Sequence, residues 1–430
     1  MKNLVLGAAK GYGWDILEPF VTSCKMNCPD AQIVLIVGDN SDFTRDKLIR
    51  AGVRLENFPD VEGIPNNTRW KIILDFLERY GNDYETIFVT DTRDVLFQGN
   101  LFAAFDDCKN WLGFATEIDD IAGTLTGDKT NYNWLISCFG RAEADKLVDQ
   151  KVICSGTIVG SSREMKIFCR ELWKILEHKT ADIFDQAVTN WLVYNGRVPV
   201  ENIFDIGVDC GEIFTAYLYS FKETLEIRGG MLLRGNGGVP EVVHQYDRYD
   251  EVLLLVDELY RDKNFSFDPH FTDTRSLLEQ VACLLCAEKI SEATRLFLKV
   301  FFDVADLSKH ASILTNILRI VAHKELSQAV NMLEVAVQNA LTAVKNFSDQ
   351  QLIAVHKTLI HAQKNQHAVD PAFKSCIANH ILDVAEYNLE RKDAANCFLC
   401  LNMINALDMV ADEKFQRVFD EATRTFRRNS

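Results

Sequence analysis

The sequence predicts an α/β domain followed by an all-helical region. From residue 1 to about residue 260, short apolar runs alternate with amphipathic segments, a pattern typical of a mostly parallel sheet flanked by helices. Beyond that point the pattern changes to nearly continuous 3.6-residue periodicity with almost no strand signal. A chain of 430 residues also exceeds what one hydrophobic core usually organises. We therefore predict an α/β domain over residues 1–262 and an all-helical domain over residues 263–430.

The elements of the first domain follow from the period of its apolar residues. Short runs rich in Val, Ile, Leu and Phe predict strands at Leu4–Leu6, Ile33–Val37, Thr86–Thr90, Leu112–Ala115 and Val242–Gln245. Longer amphipathic segments predict helices at Trp14–Ser23, Arg69–Tyr80, Met165–Leu176 and Phe184–Tyr194. This alternation is expected to place the carboxyl ends of several strands at one edge of the sheet.

The domain boundary lies in the polar stretch Arg261–Thr274, which contains Pro269. The apolar stripes of the second domain, such as Leu326, Val330, Leu333, Val337, Leu341 and Val344, have helical spacing. Helices separated by short polar breaks predict stacked antiparallel pairs, either a helical bundle or a tetratricopeptide-like repeat domain.

The composition argues against a nucleic-acid partner. The chain has 46 Lys and Arg residues against 62 Asp and Glu residues, a formal net charge of −16, whereas binding to a phosphate backbone rests on clustered basic residues. The first apolar run is too short for a signal peptide, and no later run reaches spanning length. We predict a cytoplasmic location, with peripheral attachment at the cytoplasmic face of the membrane as the alternative.

Two segments near strand ends predict a nucleotide site. The loop Gly7–Gly13 follows the first strand and precedes a helix, and its small residues would let the backbone approach a ligand whose phosphates the helix N-terminus favours. The strand Thr86–Thr90 runs into Asp91 and Asp94. Two hard oxygen ligands at a sheet edge suit a divalent cation that bridges a diphosphate. The alternative is a capped turn in which Arg93 and the acids form surface ion pairs.

Two later segments add candidate residues. His244 stands at the end of the last predicted strand, and imidazole is a good ligand for Mn²⁺. Asp185 opens a helix, where it is either a favourable charge at the helix dipole or a carboxylate directed into the cleft.

Taken in order, these segments resemble glycosyltransferases of the GT-A fold, over residues 1–250 and not over the helical remainder. The resemblance implies a Rossmann-like nucleotide-diphospho-sugar transferase domain in which the acids after a central strand hold a metal and the donor ribose. The pair Asp185-Gln186, followed by Asn190, resembles the Asp-Gln segment of family 8 glycosyltransferases, which lies beside the donor sugar. His244 matches the late histidine of the metal site in that family.

The resemblance also implies roles for individual residues. The acidic motif reads Asp-x-x-Asp rather than Asp-x-Asp, which leaves open which acid binds the metal, and Asp94 is favoured. The predicted site comprises the catalytic residues Asp185 and Gln186; the donor-binding residues Ala8, Lys10, Gly11, Arg69, Asp91 and Arg93; the sugar and acceptor pocket Asn133, Trp134, Ser155 and Gly156; and the metal ligands Asp94, His244 and Asp91.

The activity implied is transfer of a sugar from a nucleotide-diphosphate donor, with a UDP-sugar favoured and Mn²⁺ or Mg²⁺ as cofactor. The acceptor is expected to be a saccharide or glycoconjugate in surface polysaccharide or glycan assembly. The helical domain would bind the acceptor or a protein partner, or mediate self-association. Retention and inversion at the anomeric carbon both remain open. The alternatives are a sugar-nucleotide nucleotidyltransferase and a non-catalytic interaction protein that uses the helical domain.

Overall fold

A computed structural model describes most of the first domain and parts of the second. It covers residues 2–59, 63–117, 125, 129–179, 184–207, 211–216, 226–234, 237–303 and 413–429, with isolated positions between 310 and 401. The chain divides into two compact units, Met1–Arg261 and Asp262–Ser430. No helix among these described residues is both long and apolar enough to cross a membrane.

Twelve strands are described in the first unit. They are β1 (Lys2–Ala8), β2 (Ala31–Val37), β3 (Arg54–Asn57), β4 (Tyr84–Thr90), β5 (Val95–Phe97), β6 (Trp111–Thr116), β7 (Ile153–Ser161), β8 (Asn202–Asp205), β9 (Ile213–Thr215), β10 (Glu226–Arg228), β11 (Met231–Leu233) and β12 (Val242–His244). Every strand predicted from the sequence is present within one or two residues of its predicted bounds.

The helices of the first unit alternate with its strands. They are α1 (Trp14–Asn27), α2 (Asp42–Arg50), α3 (Pro65–Tyr80), α4 (Lys129–Phe139), α5 (Arg141–Ala144), α6 (Ser162–Leu176), α7 (Asp185–Tyr194) and α8 (Asp250–Tyr260). The predicted helices are confirmed. α3 begins four residues earlier than predicted, because Pro65 at its first turn needs no backbone N–H partner.

The main sheet has seven strands in the order β3-β2-β1-β4-β7-β6-β8. All neighbours pair in parallel except β7, which is antiparallel to both β4 and β6. The predicted α/β class with a mostly parallel, Rossmann-like sheet is therefore confirmed. The strand order reverses between β1 and β4, and ligands in open α/β sheets bind at such a point.

A close approach between two loops is built into this reversal point. A Cβ at Gly7 of β1 would collide with the Thr92 side chain and lie 2.9 Å from the Thr90 carbonyl oxygen. The Thr92 hydroxyl donates to the Ala8 carbonyl oxygen at 2.9 Å. Glycine at position 7 therefore lets the acidic turn after β4 lie directly against the loop after β1.

A second, three-stranded sheet has the order β5-β12-β9. β12 pairs antiparallel with β5, with His244 opposite Val95, and in parallel with β9. Since β5 directly follows the acidic turn, this register brings the end of β12 to that turn.

In the second unit, α9 (Thr274–Cys286), α10 (Ile290–Asp303) and α11 (Glu413–Asn429) are helical, as the periodicity predicts. Ile317, Leu382 and Ala385 are helical and buried. The stripe from Leu326 to Val344 lies outside the described residues. The choice between a bundle and a tetratricopeptide-like repeat stays a prediction.

Candidate metal centre and donor site

The acidic turn is held in place by backbone hydrogen bonds on both sides. The Asp91 N–H donates to the Gly156 carbonyl oxygen of β7 at 2.8 Å, which continues the antiparallel ladder of β4 and β7 beyond Thr90. The Gln245 N–H donates to the Asp94 carbonyl oxygen at 2.7 Å. The two acids and the end of β12 are thus fixed relative to one another by the backbone.

Three side chains converge at this edge of the sheet. The Nε2 atom of His244 lies 3.6 Å from Oδ2 of Asp91 and 3.7 Å from Oδ1 of Asp94. One ligand atom from each residue lies within 4.8 Å of the other two. The two N···O distances are too long for hydrogen bonds, so they leave room between the atoms.

The Nε2 atom of His244 supports a metal in this space. It is buried and has no hydrogen-bond partner in the described part of the chain. A buried polar atom without a partner is costly and calls for an explanation. Two carboxylate oxygens and one imidazole nitrogen form a donor set that suits Mn²⁺ and is acceptable to Mg²⁺. The predicted ligands Asp94, His244 and Asp91 therefore fit a divalent cation.

Gly156 keeps this space open. A Cβ at position 156 would lie 2.5 Å from Asp91 Oδ2 and 2.9 Å from the Cε1 atom of His244. Both contacts are shorter than van der Waals distance, so any larger residue would displace a proposed ligand. The sequence assigned Gly156 to the sugar and acceptor pocket, and the structure places it against the acid–histidine cluster.

Arg69 of α3 joins two carboxylates. Its Nη1 donates to Oδ1 of Asp91, and its Nη2 donates to Oδ2 of Asp185 at 2.8 Å. Burial alone would raise the Asp91 pKa, but the Arg69 guanidinium and the His244 ring outweigh it and hold the pKa well below its usual range. Asp91 is therefore ionised at neutral pH, with Oδ1 occupied by Arg69 and Oδ2 facing His244.

Arg93 has the corresponding role for the second acid. Its Nη2 donates to Oδ2 of Asp94 at 3.0 Å, and its Nε lies 3.5 Å from Oδ2 of Asp247. The Asp94 oxygen that faces His244 is the other one, Oδ1. Each acid thus offers one oxygen to an arginine and the other to the proposed cation.

His244 also contacts a sulfur atom. Its Nδ1 lies 3.4 Å from the Sγ atom of Cys154 in β7. Burial disfavours a charged imidazole, but Cys154 and the carboxylates of Asp91 and Asp94 raise the His244 pKa well above its ordinary value. In the metal-free protein these neighbours therefore favour the protonated form of the His244 imidazole.

Asp185 and Gln186 lie next to each other but have different surroundings. Oδ2 of Asp185 accepts from Arg69, from the Trp70 indole N–H at 3.3 Å and from the Ser155 hydroxyl at 3.4 Å. Its Oδ1 accepts from the Gln186 N–H at 2.9 Å. Both oxygens of this carboxylate already accept hydrogen bonds from the protein, which suits a residue that positions Arg69.

Gln186 belongs to a separate polar cluster. Its Nε2 donates to Oδ1 of Asn131 at 2.8 Å and to Oε1 of Glu117 at 3.3 Å, and its Oε1 accepts from the Ser155 N–H at 3.3 Å. Ser155 therefore contacts both members of the Asp185-Gln186 pair.

The loop after β1 lies beside the acids. Gly11 has a φ of +76°, which favours glycine, and its N–H donates to the Gly38 carbonyl oxygen at 2.6 Å. The Asn40 amide donates to the carbonyl oxygens of Ala9 and Tyr12 at 2.7 and 2.8 Å. Burial raises the pKa of Tyr12, whose charged neighbours include Arg93 and both acids. Tyr12 thus brings a phenol to the metal side of the loop.

Lys10 and Ala8, both predicted to bind the donor, contact other residues of the protein near the end of β1. Lys10 Nζ lies 3.3 Å from Oδ2 of Asp39 and over the ring of Phe58. Ala8 contributes its carbonyl oxygen to the bond with Thr92. Lys10 therefore lies at the carboxyl ends of β1 and β2.

The predicted pocket residues of α4 do not contact the cluster directly. Asn133 is exposed, and Trp134 is partly buried and packs against the hydrophobic core. Asn131, two positions earlier on the helix, is buried and contacts Gln186. The roles of Asn133 and Trp134 stay predictions.

Four residues near the site were missed by the sequence analysis: Tyr12, Glu117, Asn131 and Cys154. Glu117 follows β6 directly, so the rule that located Asp91, an acid after a strand, applies to it equally. Tyr12 lies inside the glycine loop that was singled out. For Asn131 and Cys154 the sequence contains no comparable signal.

Comparison with known proteins yields structural neighbours only. The chain matches no protein-family model, and no curated protein is similar to it in sequence. It is similar in structure to the galactosyltransferase LgtC in complex with donor and acceptor sugar analogues, at 16% identity and a TM-score of 0.39, over 62% of this chain and 98% of that chain. It is also similar to the apo form of the glycosyltransferase GlyE of Streptococcus pneumoniae TIGR4, at 16% identity and a TM-score of 0.34, over 57% of this chain and 54% of that chain.

Both neighbours are glycosyltransferases, the class that the sequence resembles. At these identities and TM-scores the similarities do not identify an activity of this chain. Its function therefore rests on the residues of the site.

Proposed function

We propose that the first domain is a metal-dependent glycosyltransferase that transfers a sugar from a nucleotide-diphosphate donor to a saccharide or glycoconjugate acceptor. The observation that carries the proposal is the convergence of one oxygen of Asp91, one oxygen of Asp94 and the unpartnered Nε2 of His244. This convergence lies where the strand order reverses, beside a glycine loop that precedes a helix. A nucleotide diphosphate is the class of ligand that needs both features.

Mn²⁺ or Mg²⁺ would be held by Asp94, His244 and Asp91. When bound, such a cation supplies charge neutralisation to a leaving diphosphate. The protein's own contribution is to fix the two carboxylates. Arg69 and Arg93 hold the far oxygen of each acid, which keeps the near oxygens directed at His244 and limits reorganisation during the reaction.

The arrangement around α7 supports different roles for its first two residues. Asp185 is held by Arg69, Trp70 and Ser155, so we assign it the positioning of Arg69. Gln186 forms a polar cluster with Asn131 and Glu117, and we place the donor sugar against this cluster. An amide and a carboxylate together can donate to and accept from sugar hydroxyls.

The nucleoside would lie on the other side of the metal, along the loop after β1. Ala8, Gly11 and Tyr12 offer backbone and phenol groups there, and Lys10 and Arg93 offer positive charge. We favour a UDP-sugar as donor and place Asn133 and Trp134 toward the acceptor, because both follow from the sequence resemblance. A role in surface polysaccharide or glycan assembly rests on the same resemblance. We base the cytoplasmic location on the short apolar runs of the sequence, and acceptor or partner binding by the helical domain on its predicted stack of helices.

A thermal-shift screen tests this proposal. UDP-, GDP- and CDP-sugars are added to the full chain with Mn²⁺ or with EDTA, because a ligand that binds only the native state stabilises it by about 2.7 kcal/mol at a hundred times its Kd. We expect one nucleotide class to raise Tm only with Mn²⁺, and the same class to be hydrolysed slowly to the nucleoside diphosphate.

Two variants make the screen specific. Asp94→Asn should abolish the Mn²⁺-dependent shift, whereas Asp75→Asn, which changes an exposed acid paired with Lys71, should leave it intact. Absence of any nucleotide-dependent shift in the unmodified protein would sink the proposal.

A further inference from the structure

Cys154 is a buried thiol that contacts the proposed metal centre from behind. It lies near the start of β7 and is 2% exposed. Its Sγ lies 3.4 Å from Nδ1 of His244 and accepts the Gly156 N–H at 3.4 Å. The sulfur is therefore held in one place by the backbone of the same strand that supplies Gly156.

The contact falls on the side of the imidazole that faces away from the acids. Nε2 of His244 faces Asp91 and Asp94, and Nδ1 faces Cys154. The two ring nitrogens point in divergent directions, so Sγ is not placed to bind the cation that Nε2 would hold. Cys154 can therefore affect the cation only through the imidazole ring of His244.

A histidine that binds a cation through Nε2 carries its remaining proton on Nδ1, and that N–H needs an acceptor that fixes the ring. For His244 the group that lies within reach of Nδ1 in the described structure is the sulfur of Cys154, which accepts when Nδ1 carries the proton. Sulfur accepts hydrogen bonds at longer distances than oxygen and only weakly, which agrees with the 3.4 Å separation.

We propose that Cys154 is the positioning residue of the metal centre: its sulfur accepts the Nδ1–H of His244 and thereby directs the Nε2 lone pair at the cation. This inference rests on the metal centre proposed above, but not on the identity of the donor. It assigns to a thiol a function that carboxylates and backbone carbonyls commonly serve for metal-binding histidines.

Mn²⁺ binding to the full chain without nucleotide provides the first test. Loss of such an outer partner typically weakens metal affinity by about 10- to 100-fold, and we expect Cys154→Ala to do so. Cys154→Ser retains an acceptor and should recover part of the loss. The control is Cys169→Ala, which removes a fully buried thiol of α6 and should leave the Mn²⁺ affinity unchanged.

The protonation of the His244 ring provides a readout that general destabilisation would not reproduce. With ¹⁵N-labelled histidine and diamagnetic Mg²⁺, and with His244→Gln to assign the signals, the unmodified protein should show a protonated Nδ1 and an unprotonated Nε2. In Cys154→Ala this preference should be lost, whereas in Cys169→Ala it should persist.

The outcomes separate this inference from the proposed function. Wild-type Mn²⁺ affinity in Cys154→Ala, a proton on Nε2 in the Mg²⁺ form, or a thiolate-to-metal charge-transfer band with Co²⁺ would each overturn it. If Cys154→Ala weakens Mn²⁺ binding while no nucleotide-sugar binds the unmodified protein, the positioning role stands and the glycosyltransferase proposal fails.

Discussion

The two arginine–carboxylate pairs of the site have the same chemistry but different surroundings. Arg69, with a side chain 12% exposed, lies between Asp91 and the nearly buried Asp185. Arg93, with a side chain 33% exposed, lies between Asp94 and Asp247. The resemblance to glycosyltransferases implied that both arginines bind the donor.

The difference in burial separates their functions. A buried charge is tolerated only with partners, and Arg69 has two carboxylates, one in the turn after β4 and one in α7. It therefore links two elements of the fold as well as orienting Asp91. Arg93 is close enough to solvent to exchange its partners for the phosphates of a ligand, so it is the better candidate for direct contact with the donor.

The largest expected effect comes from Gly156→Ala, which crowds two of the three proposed metal ligands. The new Cβ would lie 2.5 Å from Asp91 Oδ2 and 2.9 Å from His244 Cε1, so both ligands should be displaced. We expect no measurable Mn²⁺ binding by isothermal titration calorimetry, with an unchanged far-ultraviolet circular dichroism spectrum.

Ser161→Ala, at the other end of β7, is the control for a small substitution in the same strand. If Gly156→Ala retained wild-type Mn²⁺ affinity, Asp91 and His244 could not both be ligands in the positions described.

The second prediction compares Arg69→Met with Arg93→Met, each of which removes one positive charge and keeps a side chain of similar length. Removing one partner of a buried ion pair leaves charge without compensation, so Arg69→Met should lower the free energy of unfolding by about 3–5 kcal/mol. Arg93→Met should cost less than Arg69→Met, because the Arg93 side chain is 33% exposed against 12% for Arg69, although the Asp94 and Asp247 side chains that lose a partner are only 7% and 6% exposed. Urea denaturation of the metal-free protein measures both.

Equal losses of stability in these two variants would contradict the assignment of Arg69 to the scaffold. The binding data should show the opposite preference: Arg93→Met is expected to retain the fold and weaken the donor-dependent thermal shift.

The sequence was sufficient to locate the acidic turn, the glycine loop and His244, because each lies at the end of a strand that its apolar residues predict. Parallel pairing then brings strand ends to one edge, so Asp91 and the loop after β1 were expected to meet. The resemblance to glycosyltransferases added Asp185 and Gln186. The structure links Asp185 to Asp91 through Arg69 and joins Gln186 to Asn131 and Glu117.

The pairing inside the site was beyond sequence reasoning for physical reasons. Arg69 and Asp185 are 116 positions apart, and no local pattern indicates that α3 and α7 place them together. On α4, Asn131 and Asn133 are about 200° apart around the helix axis, so a helix assignment without its rotation cannot decide which of them faces Gln186. Cys154 gave no signal because a thiol within an apolar strand is usually a packing residue.

The smallest expected effect concerns the pH dependence of the free energy of unfolding in EDTA. It compares how strongly Asp91 and Asp94 act on the His244 pKa. Because the His244 pKa is raised on folding, its stabilising contribution is complete below about pH 6.5 and is lost as the pH rises through the folded pKa. The Asp91 pKa is lowered, so its contribution is present above about pH 4 and is constant from pH 6 to 9. The metal-free protein should therefore lose stability as the pH rises above about 6.5.

His244→Gln should remove most of that slope. Among the two acids, Asp91 raises the His244 pKa more than Asp94 does, so Asp91→Asn should flatten the stability–pH curve more than Asp94→Asn. Urea midpoints measured at several pH values give the three slopes. Saturating Mn²⁺ should reverse the slope of the unmodified protein, because the cation needs Nε2 without its proton. If both Asn variants flattened the curve equally, Asp91 and Asp94 would have equal effects on the His244 pKa.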